Sequence, residues 1–294
     1  MNPTLANLLS ETNVTILDFS NPNGPIRNQR DHDGLVAALP NCQHVHTISF
    51  SFLTDSLVIA ISRMTWLNTL NLAFCNRISD RQLCFLLDSV GRPNWLPVLR
   101  RLNLSGKSFS PASMNSLRLM LGRFACQLQH LHLDDCLLND GQVENLSNGL
   151  FYNQSLVTLS LRANPFDSIG ITALGEAIQH QRKLTTLILD NNWSGNLNHE
   201  DICEFINLVK YSYSFTALVL SQDDLDPHFW ELEDQVQMIH DCVETLNHER
   251  IAFYRGMRSI LVRTAGEDMA RHQFIQNGWM YSNGVCKTIQ VHWI

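Results

Sequence analysis

Leu156-Val157-Thr158-Leu159-Ser160-Leu161-Arg162-Ala163-Asn164-Pro165-Phe166-Asp167 is the stretch that decides the fold of this chain. Leucines stand at its first, fourth and sixth positions, a short alternating run of the kind a strand needs, and a polar turn with Asn164 and Pro165 follows at once. Ile169, Ile171, Leu174, Ala177 and Ile178 then bring three- and four-residue spacings, which make an amphipathic helix of about three turns. The unit is strand, turn, helix.

The phrase recurs on both sides. Leu67-Leu70-Leu72, Leu99-Leu102-Leu104, Leu128-Leu131-Leu133 and Leu184-Leu187-Leu189 keep it in full, and Val14-Leu17-Phe19, Val45-Ile48-Phe50 and Phe215-Leu218-Leu220 keep it in weaker form. The eight starts lie 31, 22, 32, 29, 28, 28 and 31 residues apart. A fixed apolar phrase at a near-constant interval marks stacked repeats, each of which buries its apolar face only against its neighbours. The same spacing predicts helices at Asp55 to Arg63, Asp80 to Val90, Pro111 to Leu121, Asp140 to Phe151 and His199 to Lys210. Helices about 10 Å wide outside strands about 4.8 Å apart bend such a stack. The predicted fold is an α/β solenoid, a horseshoe with a parallel concave sheet, convex helices and a helical C-terminal cap.

Leu156 to Gln181 resembles the ribonuclease-inhibitor class of leucine-rich repeats, a class also used in the sensor domains of nucleotide-binding immune receptors. Cys75-Asn76-Arg77-Ile78-Ser79-Asp80 is closer to the cysteine-containing subtype of F-box proteins. The resemblance covers about Val14 to Leu225 and implies a module that binds a macromolecule, most naturally another protein. With no enzyme motif and an Asn- and His-rich texture, the chain also resembles host-directed effectors secreted by intracellular bacteria. A eukaryotic cytosolic adaptor is the rival reading.

Two regions depart from the pattern. The first copies are poor, with Pro22 where the ladder Asn belongs and a second repeat of only 22 residues, as expected of a terminal repeat with one neighbour. After Leu220 the phrase stops, so residues 1–225 read as the repeat domain with its N-terminal cap and 226–294 as a C-terminal cap or small helical module. Phe229, Trp230, Leu232, Val236, Ile239, Val243 and Leu246 keep a helical period, and Ile251 to Val262 resumes it after a break at Asn247-His248. A third helix is expected at Glu267 to Ile275, and the β-formers of Val285 to Ile294 suggest a final strand. An alternative function makes this tail an enzymatic or oligomerising part that the repeats target.

Composition narrows the rest. A net charge of −7 argues against general binding to phosphate backbones, so no nucleic acid partner is expected. Met1 to Asn13 lacks the charged and apolar regions of a Sec-type signal, and no window approaches 18 apolar residues, so no membrane insertion is expected. The expected setting is cytoplasmic, or a host cell reached without a Sec-type signal. Eight cysteines without a Cys-x-x-Cys pair suit a reduced compartment, and Cys75 and Cys136 sit in the inward ladder position of their repeats. No Gly-rich phosphate loop or nucleophile motif appears, so neither catalytic residues nor a cofactor are expected.

Strand alternation sends positions 1, 4 and 6 of the phrase into the core and positions 3, 5 and 7 out of the inner face. Down the stack the outward residues are small and bland at both ends. In the middle Arg101, Asn103, His130, His132, Asp134, Arg162 and Asp190 form a varied polar patch, with Asp135, Asn191 and Trp193 at its turn edge. These are the candidate partner-binding residues. His130-Leu131-His132-Leu133-Asp134 has the look of a zinc-site opening, but no further His or Cys stands in the adjacent outward columns, so no metal is expected.

Overall fold

The computed structural model describes residues 14–21, 28–75, 78–190, 199–212, 214–220, 232–265 and 288–293, together with residues 5, 7, 9 and 26. Two compact units divide at 137/138.

In the first unit five strands, β1 (Ile16–Phe19), β2 (Thr47–Phe50), β3 (Thr69–Asn71), β4 (Arg101–Asn103) and β5 (His130–His132), pair in sequence order. All the pairings are parallel, and the register sets phrase position against phrase position, as in Thr47 beside Thr69 and Arg101 beside His130. Helices α1 (Gln29–Ala38), α2 (Asp55–Ser62), α3 (Asp80–Ser89) and α4 (Pro111–Leu121) alternate with them. The second unit repeats the scheme with β6 (Thr158–Ser160), β7 (Thr186–Ile188), β8 (Ala217–Leu220) and β9 (Gln290–Trp293), again parallel and in order. Its helices are α5 (Asp140–Leu150), α6 (Ser168–Ile178), α7 (His199–Val209) and α8 (Leu232–Ala265). This is the leucine-rich-repeat arrangement that the phrase predicts, and the weak first copies pair as fully as the strong ones.

The phrase leucines form the core. Leu70, Leu102, Leu131, Leu159, Leu187 and Leu218 at position 4 are all fully buried, each contributing roughly 1.5 to 3 kcal/mol by leaving water. Positions 3 and 5 are half-buried or exposed wherever the reading sends them outward in β2 to β5. Position 7 differs from expectation, because Ser105 and Asp190 are buried there, under the turn where the strand exits.

The turn itself has a fixed conformation. Position 8 takes a left-handed backbone in Phe74 (φ 53°), Gly106 (φ 75°), Asp135 (φ 53°) and Ala163 (φ 53°). Position 9 then points inward. Asn164, fully buried, accepts from the Leu138 N–H at 3.0 Å and donates to the Leu161 and Arg162 carbonyls at 2.8 and 3.0 Å, so one amide satisfies three backbone groups. Cys136 does part of this work in its own repeat, its thiol lying 3.4 Å from the Leu104 carbonyl. Burial pushes that thiol up to about 12, so it stays protonated. Lys107 fills the same position one repeat earlier and donates to the Cys75 carbonyl.

Helix starts are capped by side chains. Thr54, Ser79, Ser110, Asn139 and Asp167 each accept from a first-turn N–H of the helix they precede, and α3, α4 and α5 have full capping boxes. The first helical aspartate then reaches forward one repeat. Asp55 accepts from Gln82 and Asp80 from Ser110, both at 2.7 Å, while Asp140 accepts from the Asp167 and Gly170 N–H groups, both at 2.9 Å. A Cβ on Gly170 would stand 2.8 Å from that Asp140 oxygen, so the close approach requires glycine.

The expected break at Asn247-His248 is absent, and α8 runs unbroken through it. Asn247 is instead a clamp: its side chain donates to the Ile289 carbonyl and accepts from the Ile289 N–H, both at 2.8 Å, which holds β9 onto the edge of β8. One turn later Arg250, fully buried, donates to the Phe215 and Ser212 carbonyls at 3.2 Å, with Tyr254 beside it. The helix predicted at Glu267 to Ile275 lies outside the described residues. Helix α1, which the spacing does not predict, buries Leu35 as its sole buried apolar residue, with Asp31 its other buried one.

Candidate functional site

In the first unit, register brings the predicted residues together. Arg101 pairs with His130 and Asn103 with His132 on adjacent strands, so the four side chains make a square on the face opposite the helices. Arg101 is exposed, the others half-buried. His132 Nδ1 lies 3.9 Å from Asp134 Oδ2, which completes a patch of one guanidinium, two imidazoles and one carboxylate. Burial lowers the pKa of His130, with the neighbouring charge of Arg101 and then of His132 acting the same way. His130 is therefore neutral at pH 7 and presents a donor and an acceptor, whereas Arg101 is a fixed cation.

Asn103 has a positioning role as well. Its carbonyl oxygen accepts from the Ser105 N–H at 2.9 Å, and the Ser105 hydroxyl accepts from the Asp134 N–H at 3.2 Å. Asn71 makes the same turn with Ala73 at 3.0 Å. This link from strand exit to strand exit sets the backbone beneath Asp134. Its sequence signal is an Asn at position 5 followed two residues later by a small residue, a side-chain-closed turn. Asp135 is exposed at the left-handed turn position beside it.

In the second unit the Arg162 guanidinium pairs with the Asp190 carboxylate of the next repeat. Their side chains are 50% and 8% exposed, so the Arg162 guanidinium is half open to solvent while the buried Asp190 carboxylate orients it. Asn191 and Trp193 lie outside the described residues. Phe74 is 58% exposed, and its ring lies over Gly106, where an added Cβ would meet Phe74 Cδ1 at 2.5 Å.

Among the described residues no three His, Cys, Asp or Glu side chains converge to hold a metal, and no helix is long and apolar enough to cross a membrane. What the patch can do is recognise: it has charge of both signs and neutral donors and acceptors on a sheet whose side chains are held by the register.

The chain is 28% identical over 213 residues to NACHT, LRR and PYD domains-containing protein 3 of Bos taurus, a match of 68% of this chain and 20% of that protein. Over 150 residues it is 31% identical to PRAME family member 20 of Homo sapiens, a match of 50% of this chain and 30% of that protein. It thus spans between a fifth and a third of the length of these relatives. Among solved structures, the one titled Leiomodin-1 Actin-Binding Site 2 overlaps 63% of this chain and 96% of its own at a TM-score of 0.45 and 16% identity, too loose a likeness to bear on function. The model of the PRAME C-terminal domain matches residues 33–202, more than half of the chain, and the protein belongs to that leucine-rich-repeat-like family.

Proposed function

We propose that the protein is a binding scaffold that holds another protein on the open face of its strands. The observation that carries this reading is the square of Arg101, Asn103, His130 and His132 with Asp134 at its edge. In β2 and the start of β3 that face bears small neutral residues, Thr47, Ser49 and Thr69. A charged and imidazole-rich patch on rigid strands supplies orientation and selectivity, with Arg as the group best suited to anchor a carboxylate. Arg162 is a second anchor in its own unit, pre-oriented by Asp190. Membership of a repeat family fits a scaffold, although the relatives come from cattle and humans and lend no support to a bacterial effector.

The test is a paired capture. Wild-type protein and the double variant Arg101→Glu with His132→Ala are used as baits in one lysate, and bound proteins are compared by quantitative mass spectrometry. A partner on this face is depleted about tenfold or more in the variant, as expected when a buried interfacial charge is reversed. Equal recovery of every partner by both baits would place the binding site elsewhere.

A further inference from the structure

The helix side of the second unit carries a groove of about 780 Å³. Its floor is the outward stripe of α6, where Thr172 and Ala173 keep the middle low. One wall is α5, with Glu144 and Asn148 and with Phe151 just past its end, and the other is α7, with Asp201, Glu204 and Leu208. Close packing shapes the trough: a Cβ on Gly175 of α6 would stand 2.8 Å from Leu208 Cδ1.

Three independent features mark this groove as a place for a ligand. Four carboxylates line it, Glu144, Glu176, Asp201 and Glu204, and among the described residues no Lys or Arg does. Large apolar side chains stand exposed at its two ends, Ile169 at the start of α6 (64%) and Phe151 just past the end of α5 (45%), where the Phe151 ring lies 5.1 Å from both Tyr152 and His180. Ser147, a lining residue only 5% exposed, holds beneath the groove surface a buried hydroxyl that makes no hydrogen bond among the described residues.

We propose that this groove docks a basic amphipathic helix of a partner protein. α6 has 11 residues and is about 16 Å long, the length of three helical turns. Ile169 and Phe151 at opposite ends receive apolar side chains about three turns apart on one face of the incoming helix, and the low floor of Thr172 and Ala173 lets its backbone approach. The carboxylates on both walls meet Lys and Arg on its flanks, which excludes acidic helices and sets the direction of charge complementarity. This surface is separate from the strand face and does not depend on the reading proposed for it.

The probe is a labelled helical peptide of about 16 residues with Leu at i, i+4, i+7 and i+11 and Lys and Arg on the flanks, titrated by fluorescence anisotropy against the full chain. Saturable binding is expected, weakened about tenfold or more by Glu176→Lys with Glu204→Lys and by Ala173→Trp, which fills the floor. A scrambled peptide of the same composition binds at least about tenfold less well, and Arg101→Glu with His132→Ala on the strand face leaves affinity unchanged. Glu176 and Glu204 are exposed, so the charge variant retains its fold, as an unchanged melting temperature verifies. Equal binding of the scrambled peptide, undiminished binding by the charge variant, or loss of binding in the strand-face variant overturns the assignment.

Discussion

Lys107 is the most unusual residue of the stack. It sits at the inward ladder position that Cys75 and Cys136 fill in the repeats beside it, is 4% exposed, and donates to the Cys75 carbonyl. Burial lowers its pKa, with the two neighbouring cysteines acting weakly the other way. The sign of the linkage follows. Because the folded state holds this proton less tightly than the unfolded chain, the cost of the buried charge is present in full at lower pH and is relieved as pH rises from the folded pKa toward the ordinary lysine value of 10.5. Lys107→Asn restores the amide that Asn164 uses and is expected to stabilise the protein by about 1 to 2 kcal/mol at pH 7. In urea unfolding the wild type gains stability relative to the variant as pH rises from 7 toward 10.5; parallel curves would show that the ammonium is not buried in the way described. The position was visible in the sequence, nine residues into the phrase that starts at Leu99, yet a lysine there does not announce itself as an inward group.

At the scale of elements, adjacent helices are fastened at their N-termini rather than by leucine packing alone. Asp140 is the clearest joint, since one carboxylate oxygen accepts two N–H groups at the start of α6 and carries negative charge where that helix dipole favours it. Asp140→Ala is expected to cost about 2 kcal/mol, and Asp140→Asn, which keeps an acceptor, about half of that. Chemical denaturation measures both, and equal losses for the two variants would contradict an acceptor role. At the other end of this unit Asn247 makes two hydrogen bonds to Ile289, which hold β9 as the outer strand. Periodicity alone marks Asn247-His248 as an interruption because Asn is a poor helix former. What overrides propensity is a tertiary partner 42 residues away that uses both ends of the amide.

For the whole molecule, the role of the tail is the main matter the repeats do not decide. Arg250 and Tyr254 cover the carbonyls of Ser212 and Phe215, and β9 occupies the pairing edge of β8, so residues 226–294 are proposed as a cap. Removing residues 232–294 uncovers buried Phe215 and Leu218 and leaves the β8 edge open. The truncated chain is expected to aggregate and to lose its cooperative melting transition, followed by light scattering and circular dichroism. A soluble, cooperatively melting remnant would favour the alternative in which the tail is a separate working part.

The amino-acid sequence by itself determined the repeat. Every strand from β1 to β8 begins within the predicted phrase, and α2 to α7 end within a residue of their predicted limits, because burial with a period of two and then of about 3.6 is written in local spacing. The same spacing named Arg101, Asn103, His130 and His132 as neighbours on one face, which parallel in-register pairing makes them. Tertiary structure alone decided the rest. Asp190 is a buried counter-ion to Arg162 rather than an open contact, Asn103 closes a turn with its carbonyl, and α1 forms with Leu35 as its sole buried apolar residue. The helix-side groove likewise arises from three helices, and Ile169, which the spacing assigns to the apolar face of its helix, stands 64% exposed at its end. The physical reason is common to all of them: an apolar residue is sorted inward by its own transfer from water, whereas the role of a polar group depends on which distant donor, acceptor or charge the completed fold sets beside it.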